Sequence, residues 1–369
     1  MNYKVQQDFL SLVRLGIGHH GDVLSESVNW QAIQAHAERQ GLSAIIVDGV
    51  ERLADSQRPP KVILLQWIGE VLQNYEQRYV LYRKAIAELS GFYNSRGYKM
   101  MVLKGYACGL NWPKPEHRPC GDIDIWQFGQ QKEADEALTE WFKSLRVKGV
   151  QREQRFEIDN SHHHHSVFYW GGVLVENHYD FVNVYHHQSN RGLEKIFKEL
   201  GQDDSHFIEI NGEKTYLPSP NLHALFLLKH SMNDFTSFSV NVRQLLDWAF
   251  FVEKNGKYID WDWLVEVLKK YYMMDFFNTI NAICVEDLGF DASLFHNVQF
   301  NPNLKERVLK DILEPEFTAN EPFRLMPRLV YKYKRWQGNA WKHRMCYHES
   351  MWSAFWSGVW NHLLKPSSI

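Results

Sequence analysis

Asp122 and Asp124, one residue apart in GDIDIW, are the residues of this 369-residue chain whose type and spacing point most directly to chemistry. On an extended strand, side chains alternate between faces, so the two carboxylates share one face while Ile123 and Ile125 turn to the other and call for a packed layer. Paired carboxylates offer hard oxygen ligands to Mg2+, which can bridge phosphates, activate an attacking hydroxyl and stabilise a leaving pyrophosphate. A D-x-D pair alone is weak evidence, and its setting adds to it. LKG at 103–105 and Arg118 lie upstream, and Gly121 directly precedes the pair. The later strand VLVENHYDF places Glu176, His178 and Asp180 on one side if its extension is regular. Glu176 is the expected third carboxylate, with Asp180 the competing choice if the register differs. His178 either orients a carboxylate, contacts phosphate or serves as a structural hydrogen-bonding histidine. The mobile ammonium of Lys104 and the guanidinium fork of Arg118 suit phosphate oxygens. Gly121 permits a sharp approach into the metal-bearing strand, as an ordinary turn glycine also would.

The elements that must position these groups show as changes in hydrophobic period. Residues 5–53 carry apolar positions at helical spacing, DSQRPP interrupts them, and a longer helical stretch ends near Gly97. From Tyr98 the pattern shifts. YKMMVLKG and the DIDIW segment read as strands, QKEADEALTEWFKSLRVKG as a helix, and QRFEID, HHSVFYW and VLVENHYDFVNVY as strands. From about Arg191 helical patterns return. The expected class is α+β, with a helical region at 1–97, a mixed core at 98–190 and a helical region at 191–369.

Composition narrows the partners. Forty-one basic and 44 acidic side chains give a formal charge of -3, so no global polycation recruits nucleic acid and any anion site is local. The strongest local signal is Pro322 to His348, where seven Lys and Arg residues and no Asp or Glu are interleaved with tyrosines and tryptophans. Such a segment can contact an RNA backbone, an NTP or a phosphorylated acceptor, but ordinary solvated helices look the same, and nucleic acid is not the favoured partner. HHHH at 162–165 puts only alternate imidazoles on one face of a strand, so a polar strand or loop is a simpler account than a second metal site. Arg243 and Asp247, four apart, suit a local pair supporting the cleft. Four cysteines form neither a disulfide framework nor close metal-ligand pairs, making a reducing cytoplasm the default. The start carries no convincing secretory signal. No stretch reaches the roughly 18 to 20 apolar residues that span a bilayer, so integral membrane association is not expected, and WSAFWSGVW reads as helix packing.

KG at 104–105, RPCGDID at 118–124 and VENH at 175–178 together resemble the minimal nucleotidyltransferase family of the DNA polymerase beta-like superfamily, most closely a bacterial branch with an extended helical framework. The resemblance is most specific at the centre and reaches diffusely into LLKH at 227–230 and VRQLLDW at 242–248. It implies a small mixed sheet flanked by helices, two-metal chemistry with Mg2+ or Mn2+, and an NTP donor. Gly105 matches the glycine of the early turn near the donor phosphates, Asp122 and Asp124 the metal pair, and Glu176 the third acidic position. The chain departs from the pattern where Tyr106 follows Gly105 in place of serine, leaving Lys104 and backbone N-H groups to hold phosphate. The implied reaction is NMP transfer to a small-molecule, protein or RNA acceptor that the resemblance does not identify. Two other readings use the same residues: a noncatalytic nucleotide- or RNA-binding module, and a phosphohydrolase in which water is the acceptor.

Overall fold

The computed structural model describes residues 3–147, 158–159, 165–184, 187–296, 299–317, 322–353 and 356. They fall into two compact units that each draw on separated stretches of chain. One comprises Met1–Gln77, Asn111–Pro119 and Leu227–Ser350; the other comprises Arg78–Leu110, Cys120–Phe226 and Met351–Ile369.

The second unit contains the sheet. Its strands are β1 (Met101–Val102), β2 (Ile123–Trp126), β3 (His165–Trp170), β4 (Val173–His178), β5 (Phe207–Ile210) and β6 (Glu213–Tyr216), in the order β3-β4-β2-β1-β6-β5. β2 runs parallel to β4, and β1 runs antiparallel to β2 and parallel to β6. The fold is thus the mixed α+β arrangement expected, a small sheet accompanied by extensive helical regions. Alternation explains how it holds together. Ile123 and Ile125 of β2, Val173 and Val175 of β4, and Phe168 and Trp170 of β3 form one core with Ile86, Leu89, Phe92 and Tyr93 of the helix Gln77–Asn94 and Ala134 and Leu138 of the helix Gln131–Val147. Residues of opposite parity, Asp124 and Glu176 among them, are left to the other face.

β5 and β6 lie in a stretch that the helical reading of 191–369 passes over. FIEI and EKTY pair antiparallel around Asn211-Gly212, whose φ values of 53° and 84° are the left-handed pair of a tight hairpin turn. The strand segment QRFEID lies mainly outside the described residues, although Asp159 bridges Val167 of β3.

The first unit is helical among its described residues. Its helices Tyr3–Gly16 and Ser43–Glu51 approach so closely that a Cβ at Gly49 would lie 2.2 Å from the Leu12 carbonyl oxygen, and one at Gly16 would lie 2.1 Å from that of Ile45. Glycine is required at this crossing because backbone, not a yielding side chain, occupies the space. The helix Val242–Asn255 begins with a reciprocal cap in which the Asn241 side chain accepts from the Gln244 N-H and the Gln244 side chain accepts from the Asn241 N-H. No helix among the described residues is long and apolar enough to cross a membrane.

Candidate functional site

The parallel register of β2 and β4 pairs Ile123 with Val175, Asp124 with Glu176, and Ile125 with Asn177. Asp124 and Glu176 are therefore neighbours on one sheet face, two residues before His178 on the same strand. β3 extends this face: its antiparallel register sets His165 opposite His178 and Val167 opposite Glu176. Ser166 and Asn177 have the other parity and meet Asp135 of the helix Gln131–Val147, whose carboxylate accepts from both and from the Tyr179 hydroxyl.

Asp124 is fully buried. Its Oδ1 lies 3.1 Å from Lys104 Nζ and 2.9 Å from His178 Nε2, while its Oδ2 has no hydrogen-bond partner. His178 Nε2 is also 3.7 Å from Glu176 Oε2, and His165 Nε2 is 3.9 Å from Glu176 Oε1. Gly105 makes the Lys104 contact attainable. With φ 60° and ψ -102°, a combination that a Cβ would obstruct, it turns the chain from β1 into the short helix Tyr106–Gly109 immediately after the lysine. Tyr106 is buried in the core and stacks on Tyr79 with ring centroids 5.5 Å apart.

The charges at this site act on one another. Burial alone would raise the Asp124 carboxyl, but Lys104 and His178 hold it well below the ordinary range. Burial would lower the Lys104 ammonium, yet Asp124, Asp122 and Glu176 raise it. Glu176 is pushed up by burial and then by the charge of Asp124. Asp122, just ahead of β2 and partly exposed, contributes through the same field.

One ligand atom from each of Asp124, Glu176 and His178 can be chosen so that all lie within 4.8 Å of one another. These residues fit a divalent cation. Two carboxylates and an imidazole are appropriate donors, and a buried carboxylate oxygen without a partner is costly unless a proton or cation satisfies it. His178 Nδ1 lies 3.4 Å from the Asp180 carbonyl oxygen. That placement suits a ring that donates through Nδ1 and offers Nε2 to a cation.

Of the residues singled out from sequence, Lys104, Asp124 and Glu176 come together, and Asp122 bears on them by charge. Gly121 is exposed, with open space around its Cα, and nothing in the structure requires glycine there. Asp180 follows the end of β4, and its Oδ1 accepts from Lys198 at 2.6 Å. Arg118 belongs to the helical unit, where Nε and Nη2 grip the two Asp247 oxygens at 3.1 and 2.8 Å and Nη1 donates to the Pro119 carbonyl. Arg243 also donates to the Pro119 carbonyl, at 3.4 Å. Sequence reasoning did not assign His178 to the ligand set, although E-x-H spacing on a strand is the signal that carries it. Of HHHH at 162–165, read from sequence as a polar strand or loop, His165 opens β3 and lies 3.9 Å from Glu176; His162, His163 and His164 lie outside the described residues.

A small mixed sheet, a strand-borne acidic pair in register and an adjacent lysine make up an α+β fold with a candidate cation site. A family model described as an uncharacterised nucleotidyltransferase matches residues 26–288, and the chain belongs to that family. No curated protein and no solved structure matches it.

Proposed function

We propose that the chain transfers an NMP group from an NTP to an acceptor and releases pyrophosphate, with Mg2+ or Mn2+ held by Asp122, Asp124 and Glu176 and with His178 completing the donor set. The observation that carries this reading is the buried Asp124 carboxylate, in register with Glu176, with one oxygen facing Lys104 and His178 and the other unsatisfied. A bound divalent cation would neutralise charge on the triphosphate and polarise the phosphorus under attack.

The acceptor oxygen or nitrogen forms a bond to the α-phosphorus, the bond from that phosphorus to the bridging oxygen breaks, and the electron pair leaves with pyrophosphate. Glu176, raised by burial, takes the acceptor proton on a carboxylate oxygen. Lys104, kept cationic by its acidic neighbours, faces the negative charge of the triphosphate. Gly105 sets the turn beside it. Asp247 occupies the Arg118 fork, so no direct phosphate contact is assigned to Arg118.

The test monitors pyrophosphate and acceptor mass with the four NTPs, Mg2+ or Mn2+ and a cell-extract acceptor pool, using Asp124→Asn as control. Metal-dependent release with NMP incorporation, lost in the control, supports the transferase. Burial of Tyr106 in the core, at the position where the related superfamily carries serine, favours a second reading as a noncatalytic nucleotide-binding module. Nucleotide binding without pyrophosphate formation would select that module, and phosphate release to water without incorporation would select a phosphohydrolase.

A further inference from the structure

The helix Leu325–Gly338 is amphipathic in an inverted sense. Met326, Leu329, Val330 and Tyr333 are 69%, 52%, 50% and 56% exposed, and Phe323 ahead of the helix is fully exposed. At 3.6 residues per turn those four helical side chains fall within about 100° of arc. The contacts to the rest of the unit come from the opposite side. The Arg335 guanidinium lies 4.2 Å from the centre of the Phe238 ring, Tyr331 meets Phe317 edge-on at 5.9 Å, and Gly338 leaves the space that the Phe317 ring fills. A surface helix ordinarily turns its apolar stripe inward; this one turns it to solvent.

Charge limits what can cover that stripe. Arg324, Arg328, Lys332, Lys334 and Arg335 fall in or beside the helix, and no acidic residue occurs from Pro322 to His348. Exposed Lys332 and Lys334 border the two edges of the stripe, while exposed Arg324 and Arg328 fall further round, towards the side that packs against the unit. Lys342 is set apart from this group, being buried against Asp311 at 2.6 Å. A single-stranded nucleic acid would answer the charge but asks for open aromatic platforms, whereas three of the four outward helical side chains here lack rings, and Tyr333 already stacks with Trp336. Apolar side chains flanked by lysines, with Tyr and Trp alongside, match a bilayer interface bearing negative headgroups.

We propose that the helix Leu325–Gly338 lies in the plane of an anionic membrane surface, with Phe323, Met326, Leu329 and Val330 entering the acyl boundary and the flanking Lys332 and Lys334 meeting lipid phosphates. This is interfacial docking, not spanning, and it does not depend on the transferase reading.

The test is flotation of the full chain with phosphatidylcholine vesicles, with and without about 30% phosphatidylglycerol, at low and high salt. The expected result is co-flotation with the anionic vesicles only, weakened by salt. Leu329→Glu should abolish it, and Lys332→Gln and Lys334→Gln should each reduce affinity about 5-fold. Because these side chains are exposed, far-UV circular dichroism and the melting temperature should stay at wild-type values, and Met326→Glu provides a second apolar variant if Leu329→Glu does not fold. No flotation with anionic vesicles overturns the proposal. So does polyuridine binding that Leu329→Glu leaves intact while vesicles are ignored, which would assign the basic face to RNA. A concentration-dependent dimer broken by Leu329→Glu, again without vesicle binding, would overturn it in favour of a second copy of the chain.

Discussion

Two buried aspartates, one in each unit, are treated in opposite ways. Asp247 has both oxygens satisfied: Oδ1 accepts from Trp112 Nε1 at 2.8 Å and Arg118 Nε at 3.1 Å, and Oδ2 accepts from Arg118 Nη2 at 2.8 Å. Asp124 crowds Lys104 and His178 onto Oδ1 and leaves Oδ2 bare. A planar fork that closes both lone-pair edges of a carboxylate makes a finished structural joint. A point-charge lysine and an imidazole on one oxygen leave capacity for another cation. The family match covers both residues, yet only Asp124 has the incomplete coordination expected of a working site.

The largest expected effect breaks this comparison on the side of function. Asp124→Asn should lower metal-dependent pyrophosphate release by at least about 100-fold, because a ligand to the charge-neutralising cation is worth several kcal/mol in the transition state. Near-native turnover by a homogeneous Asp124→Asn protein would remove Asp124 from the mechanism. Next in size is the structural counterpart. Asp247→Ala strands the buried Arg118 guanidinium and the Trp112 indole N-H, and should cost about 3–5 kcal/mol in urea unfolding. Adding Arg118→Met should return part of that loss. If Asp247→Ala leaves stability unchanged, the fork is not the joint described.

Much of the site was legible because strand periodicity is a strong constraint. The D-x-D spacing gave Asp122 and Asp124 one face and Ile123 and Ile125 the other, and Ile123 and Ile125 do enter the core. Pairing between β2 and β4 was not legible, since register depends on which strands meet, and local pattern does not report it. The same gap left Asp180 open as the competing choice to Glu176 if the register differed; β4 ends at His178, two residues before it. Arg118 shows another limit. A lone arginine beside a D-x-D looks like a phosphate ligand, and its partner Asp247 lies 129 residues away in sequence. The hairpin at 207–216 was readable from Asn211-Gly212 but was absorbed into a long helical reading.

The two units also differ in how they hold a buried lysine. Lys104 is kept charged by three nearby carboxylates, whereas burial pushes Lys229 down to about 7, with the Tyr347 hydroxyl at 3.2 Å as its hydrogen-bond partner. A folded pKa below the unfolded value of 10.5 means that the unfolded chain binds more protons between those limits, so this group makes stability rise with pH from about 7 upward. Relative to Lys229→Met, the wild-type protein should gain on the order of 2 kcal/mol between about pH 7 and about pH 9, with a flat difference below that window. Urea unfolding of both proteins across the range measures it. Parallel pH profiles would mean that Lys229 stays charged in the fold.

A cation titration sharpens the comparison without relying on turnover. If the bare oxygen of Asp124 is completed by a cation, Mn2+ at about 100 times its dissociation constant should stabilise the fold by about 2.7 kcal/mol. For a chain of this size that is a rise of about 3–4 °C in melting temperature if both units unfold together. Asp124→Asn and Glu176→Gln should lose the shift, and His178→Ala should reduce it, because an imidazole ligand contributes to affinity but leaves two carboxylates in place. Asp247→Asn should keep the full increment on a lower baseline, since both oxygens of that carboxylate are already spent on Arg118 and Trp112. An equal shift in wild type and Asp124→Asn would locate the cation elsewhere and erase the distinction between the two aspartates.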